Sequence, residues 1–141
     1  MKPVRAVAVV EAPGIEAEQL WLDPSRWASW LQGFSHLVSL DDGWPVEGRR
    51  VYDGPRGRVL ERIMRYTAGS GYGATIEDAR MSGVINVAFE SDNVRTRITV
   101  ELDVEPKEKL APGPRWWLRR KLREQWQLSL RRLGYELAAE R

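Results

Sequence analysis

Few residues in this 141-residue chain suit a conventional active site. His36 is the only histidine and cysteine is absent, which removes thiol catalysis, disulfides, multi-histidine metal sites and, in practice, zinc. A lone histidine near a helix end or strand start is more commonly structural or surface-exposed than catalytic. Gly69, Gly71 and Gly73 alternate, which suits a strand bend or bulge better than a phosphate cradle, and no Gly-x-Ser-x-Gly, P-loop or GxGxxG pattern occurs. Arg119 is the most informative charge. On a helix it falls at the edge of an apolar arc, where it reads either as a clamp for a carboxylate or enolate-like oxygen or, more commonly, as a snorkelling cation covering apolar surface. Arg115, Arg119, Arg120, Lys121, Arg123, Arg131 and Arg132 form a basic cluster with Trp116 and Trp117 among them. It reads as a dock for an acyl-carrier protein, anionic lipid or nucleic acid, or as a solvated face balanced by Glu101, Asp103, Glu105 and Glu108. The whole chain carries a net charge of only +2, so the solvated face is favoured and no nucleic acid is expected.

The element that must position these residues is the segment from Pro114 to about Ala139. Pro112 and Pro114 precede it, and no breaker interrupts it before Gly134. At about 100° per residue, Leu118, Leu122, Trp126, Leu130, Leu133 and Leu137 share an arc roughly 120° wide, with Ser129 inside it. A helix cannot bury that stripe alone, so the rest of the chain must receive it.

The rest reads mostly as strands. Val4–Glu11 is β-branched and stops at Ala12-Pro13-Gly14. Ile15–Leu22 reads as a short helix, and Asp23-Pro24 restarts a second one that places Trp27, Trp30 and Leu31 on one face and ends at Gly33. Ser35–Leu40, Arg49–Asp53, Arg58–Tyr66, Tyr72–Asp78, Gly83–Glu90 and Val94–Glu105 follow with a period of two, punctuated by turns and without crossover helices, so the sheet is expected to be antiparallel. A two-residue turn at Asp92-Asn93 would set Phe89 opposite Thr96 and Glu90 opposite Arg95. Ile76, Ala74 and Tyr72 then point inward. For residues 58–66 the parity stays open: an even connection puts Glu61, Ile63 and Arg65 inside, whereas an odd one or a bulge puts Leu60, Met64 and Tyr66 there.

The order strand, two short helices, six strands, long helix resembles the helix-grip fold of the START-like, Bet v 1-like superfamily, which includes polyketide cyclases and aromatases. The likeness rests on the strand leading into Glu11-Ala12-Pro13, on Gln19-Leu20-Trp21, Asp23-Pro24 with Trp30 behind it, Val46-Glu47-Gly48, and Arg95-Thr96-Arg97-Ile98-Thr99, and it covers nearly the whole chain. It implies a single α+β domain over residues 1–141, a curved antiparallel sheet of about seven strands gripping the last helix. It also implies a cavity between sheet and helix for a lipid, polyketide or aromatic metabolite. Trp30, Tyr72, Ile76, Ile85, Val87, Phe89, Thr96, Ile98 and Val100 would line it from one side, and Leu118, Arg119, Leu122 and Trp126 from the helix. If the chain is a cyclase-like enzyme, its polar groups would be Arg119, Thr96, Glu61 and Tyr72; no catalytic residue is assigned. No cofactor or metal is expected. The named partners are a small apolar ligand, an acyl-carrier protein, or a second copy meeting Trp116 or Trp117. Without an 18-residue apolar run or a signal-peptide pattern, the expected location is cytoplasmic.

Overall fold

The computed structural model describes residues 2–140. In chain order the elements are β1 (Val4–Val10), α1 (Gly14–Leu22), a 3₁₀ turn (Pro24–Arg26) leading into α2 (Trp27–Trp30), β2 (His36–Leu40), β3 (Arg49–Gly54), β4 (Gly57–Thr67), β5 (Gly71–Glu77), β6 (Met81–Ser91), β7 (Thr96–Pro106) and α3 (Pro112–Ala139). The strands form one curved antiparallel sheet in the order β1-β7-β6-β5-β4-β3-β2. Short turns make β2 to β7 a meander, and β1 closes against β7, so the α+β helix-grip architecture is the observed one. Leu118, Leu122, Trp126, Ser129, Leu130, Leu133 and Leu137 of α3 are all buried, the stripe expected from the spacing.

Polar side chains fix α3 in place. The free edge of β1 is covered by the helix: Val7 donates its backbone N–H to Gln127 Oε1 at 3.0 Å, which satisfies an edge donor that would otherwise invite another strand. Arg56 donates to the buried Asp78 at 2.9 Å and to Gln125 Oε1 of α3 at 2.8 Å, joining two turns of the sheet to the helix. Near the other end, Arg26 bonds Glu136 at 2.9 Å and Glu140 at 2.5 Å, and both bonds raise its pKa.

Two registers differ from expectation or resolve it. Ser91 pairs with Thr96 and Phe89 with Ile98, two residues along from the tight-turn register, so Glu90 faces Arg97 rather than Arg95. The reason is Asp92, whose Oδ1 accepts from the backbone N–H groups of Val94 and Arg95, both at 2.8 Å, and holds a wider loop. Arg95 lies 3.4 Å from Glu11 instead, and Val94 is in the exposed loop. Because the slip is even, every inward residue keeps its face. In β4 both open parities occur, one in each half. Glu61 pairs with Ile76 and Ile63 with Ala74; a bulge between Ile63 and Arg65 then leaves Met64 outside and turns Tyr66 toward Tyr72.

Candidate functional site

The space between α3 and the sheet is built from rings. Trp21, presented inward by α1, lies 4.6 Å from Trp30, 6.0 Å from Trp126 in a stacked arrangement, and 5.8 Å from Phe89 edge-on. Its indole N–H donates to Tyr72 Oη at 2.7 Å, and the Trp27 indole N–H donates to Trp21 O at 2.8 Å. Trp30, Tyr72, Ile76, Ile85, Val87, Phe89, Thr96, Ile98, Val100, Leu118, Leu122 and Trp126 are all buried in this core. Stacked and edge-on indoles thus fill much of the volume where the sequence suggested open space. Thr96 has its hydroxyl engaged, donating to Ala12 O at 2.8 Å. Arg119 is turned away from the interior: its Nε donates to Lys2 O at 3.2 Å and Nη2 to Pro3 O at 3.4 Å, so the clamp reading gives way to the snorkelling one. His36 is exposed and sits 3.2 Å from Asp53.

Glu61 and Tyr72 do come together, around a residue the sequence reading passed over. Arg50, on the inner face of β3, is fully buried, and its Nη2 donates to Glu61 Oε2 at 2.8 Å. Tyr52 Oη donates to the same oxygen at 3.2 Å. The guanidinium lies over three rings, 4.5 Å from the centroid of Trp27, 5.0 Å from Tyr52 and 5.1 Å from Trp44. Burial is the largest influence on Arg50 and works against its charge, but Glu61, Tyr52 and Tyr72 together outweigh it and the pKa is raised, so the cation persists. Burial, reinforced by Glu61, also pushes Tyr52 well up. Tyr72 is raised chiefly by burial, against the opposing charge of Arg50. Both phenols stay protonated. Arg50 Nε, Arg50 Nη1, Glu61 Oε1, Trp44 Nε1 and Trp30 Nε1 are buried without a hydrogen-bond partner. A native core leaves few such atoms, and four of these five belong to one contact group.

A cavity of about 620 Å³ lies between α1, the β4–β5 turn and the loop before β3, walled by Ile15, Leu22, Pro45, Tyr66 and Ala68, with Glu18 on its rim. Glu18 latches the rim, accepting from Tyr66 Oη and, at 2.6 Å, from the Gly69 backbone N–H. Burial and that bond to Glu18 push the Tyr66 pKa up to about 12. Pro45 follows Trp44, whose ring packs edge-on 6.3 Å from Tyr72, and Tyr72 is the strand partner of Tyr66. Trp44 and Tyr72 therefore connect the cavity wall to Arg50. A second cavity of about 420 Å³ lies at the start of α3, between Arg80, Lys107, Pro114, Trp117 and Leu118. Leu118 is thus the one expected lining residue that reaches either cavity. Trp116 and Trp117 are both exposed, with Arg120 and Lys121 over their respective rings.

Comparison with solved structures identifies the architecture as START-like. A conserved protein from Geobacillus kaustophilus superposes with a TM-score of 0.80 at 12% identity, covering 98% of this chain and 96% of that one. A START superfamily protein from Mycobacterium smegmatis gives 0.76 at 14% identity, over 96% and 98% of the two chains. DynU16, from the dynemicin biosynthetic locus, gives 0.74 at 19% identity; all of this chain matches 49% of it. These likenesses establish the fold alone. No family model and no curated protein matches the sequence. Among the described residues, no cluster of three or more His, Cys, Asp or Glu could hold a metal, and no helix is long and apolar enough to cross a membrane.

Proposed function

We propose that this protein binds a small, flat, largely apolar molecule, which enters at the cavity between α1 and the β4–β5 turn and seats against the tryptophan-rich core. The observation that carries the reading is the cavity itself: about 620 Å³, with Ile15, Leu22, Pro45, Tyr66 and Ala68 as its apolar wall and Glu18, Gln19, Asp23 and Ser91 as its polar lining. A volume of that size suits a molecule of two to four fused rings. A polyketide, an aromatic metabolite or a lipid fragment would meet these demands. The test is a fluorescence titration with 1-anilinonaphthalene-8-sulfonate on the wild type and on Ala68→Trp, which fills the cavity from an exposed turn. Saturable binding that weakens at least tenfold in the variant is expected; equal binding by both proteins would refute this location.

A second reading concerns the basic start of α3. Exposed Trp116 and Trp117, each beneath a cation, favour docking of an acidic acyl-carrier protein there. Such a complex should weaken with salt and be lost in the Arg115→Glu/Arg123→Glu variant; salt-independent association would count against it.

A further inference from the structure

The outer face of the sheet, turned away from α3, carries its charges in a fixed order. The registers align Arg49 with Arg62, Arg62 with Thr75, Thr75 with Val84 and Val84 with Asp103, so these residues form one row across five strands. The row reads plus, plus, neutral, neutral, minus. The next row repeats the pattern as Arg65, Gly73, Asn86 and Glu101. Two arginines directly opposite on neighbouring strands repel each other. Arg49 has Asp41 at 3.6 Å to offset its charge. Arg62 has no such neighbour: among the described residues its guanidinium forms no ion pair or hydrogen bond, and neither do the carboxylates of Glu101 and Asp103, although Arg5 is the strand partner of Glu101. Arg62, Glu101 and Asp103 are all exposed. Arg62 and Asp103 stand three strand spacings apart, roughly 14 Å, and do not meet within one chain.

We propose that this outer face is an interface with a second copy of the chain, held by its own charge complementarity. A two-fold axis parallel to the strands, lying between β5 and β6, turns one sheet over onto the other and exchanges β4 with β7. Arg62 of one copy then lies opposite Asp103 of the other, and Arg65 lies opposite Glu101. The symmetry makes each contact twice. Along the axis Thr75 faces Val84 and Gly73 faces Asn86, side chains short enough for the two backbones to approach. Arg65 is laid over Gly73 by its 2.7 Å bond to Asn86 Oδ1, which keeps that row low. A single exposed ion pair stabilises little, so these pairs around a small neutral centre describe a weak, salt-sensitive dimer whose register is set by charge.

Sedimentation equilibrium of the whole chain tests the idea. At about 0.2 mM protein a micromolar dissociation constant leaves most of the material paired, so the wild type is expected near twice the 16.2 kDa of one chain. Raising the salt from about 0.1 M to about 1 M shortens the screening length from about 10 Å to about 3 Å and should return it to a monomer. Arg62→Glu and Asp103→Arg, both at exposed positions, should each weaken the dimer by about tenfold or more. An equimolar mixture of the two variants should restore it, because the mixed pair carries opposite charges at both contacts. A wild type that stays monomeric at low salt would overturn the proposal. So would a dimer that neither reversal weakens, or a mixture of the two folded variants that stays monomeric. If either reversal fails to fold, Arg62→Gln/Asp103→Asn serves, and an unchanged dimer in that protein would overturn the assignment to this face.

Discussion

Removing one member of the Arg50–Glu61 pair should cost stability in a way that depends on which member goes. In Arg50→Met the Glu61 carboxylate stays buried, with Tyr52 as its remaining donor. It escapes by taking up a proton, and holding an ordinary glutamic acid protonated at pH 7 costs about 3.7 kcal/mol, falling to about 1 kcal/mol at pH 5. In Glu61→Leu the guanidinium cannot shed its proton, so its penalty, on the order of 3–5 kcal/mol, should not change over that pH range. The three rings around Arg50 offset part of this, at roughly 1–2 kcal/mol for a desolvated cation–π contact. Arg50→Met/Glu61→Leu leaves no charge behind and should lie within about 2 kcal/mol of the wild type. Urea unfolding followed by tryptophan fluorescence reads all four proteins, and with a slope of about 2 kcal/mol/M the single variants should unfold roughly 2 M earlier at pH 7. A double variant as unstable as the two singles combined would refute the reasoning. So would an Arg50→Met penalty that stays constant between pH 7 and pH 5.

Two further perturbations probe the cavity rim and the strand beneath it. Gly71 has φ of +130°, and a Cβ there would run into the Val87 carbonyl, so Gly71→Ala should cost about 2 kcal/mol or more in the same urea assay; a neutral result would refute that account of the β4–β5 turn. The Tyr66 pKa is raised from its ordinary 10.0 to about 12, so the folded state holds the phenol proton more tightly than the unfolded chain does. That contribution is complete below pH 10 and is lost as pH rises toward about 12; Tyr66→Phe should therefore flatten the alkaline fall in thermal stability, and an unchanged profile would show that the Glu18 latch does not hold in solution.

The frame was legible because its signals are local. The α3 stripe follows from leucine spacing, and the meander follows from turns too short for crossovers. Placement of Arg50 was a different matter. Arg49 and Arg50 carry the same charge, so the sequence alone does not say which faces water, and a strand arginine ordinarily reads as wet. The decisive signal lay in the connection: Pro55-Arg56 between Gly54 and Gly57 is a two-residue turn, and counting back from it sets Arg50 opposite Glu61 and Tyr52 opposite Val59. The β6–β7 slip depends on an Asp92 side chain capturing two backbone N–H groups, and the β4 bulge shifts the pairing with β5 between Ile63 and Arg65. Neither shows in an alternating pattern: the slip is set by a local side-chain turn and the bulge by one extra residue in β4.

Stability alone does not account for what lies under α3. Leucine and isoleucine would fill the same volume without polar atoms, and replacing a buried ion pair by apolar side chains is often neutral or favourable. This interior instead holds four fully buried tryptophans, a guanidinium over three rings, and a carboxylate with one oxygen unmet. Each buried donor or acceptor without a partner costs about 1–3 kcal/mol, and such atoms occur on Arg50, on Glu61 bonded to it, and on Trp44, whose ring lies 5.1 Å from the guanidinium. The polar core is therefore harder to build than an apolar one of the same volume, and stability gives no reason for it.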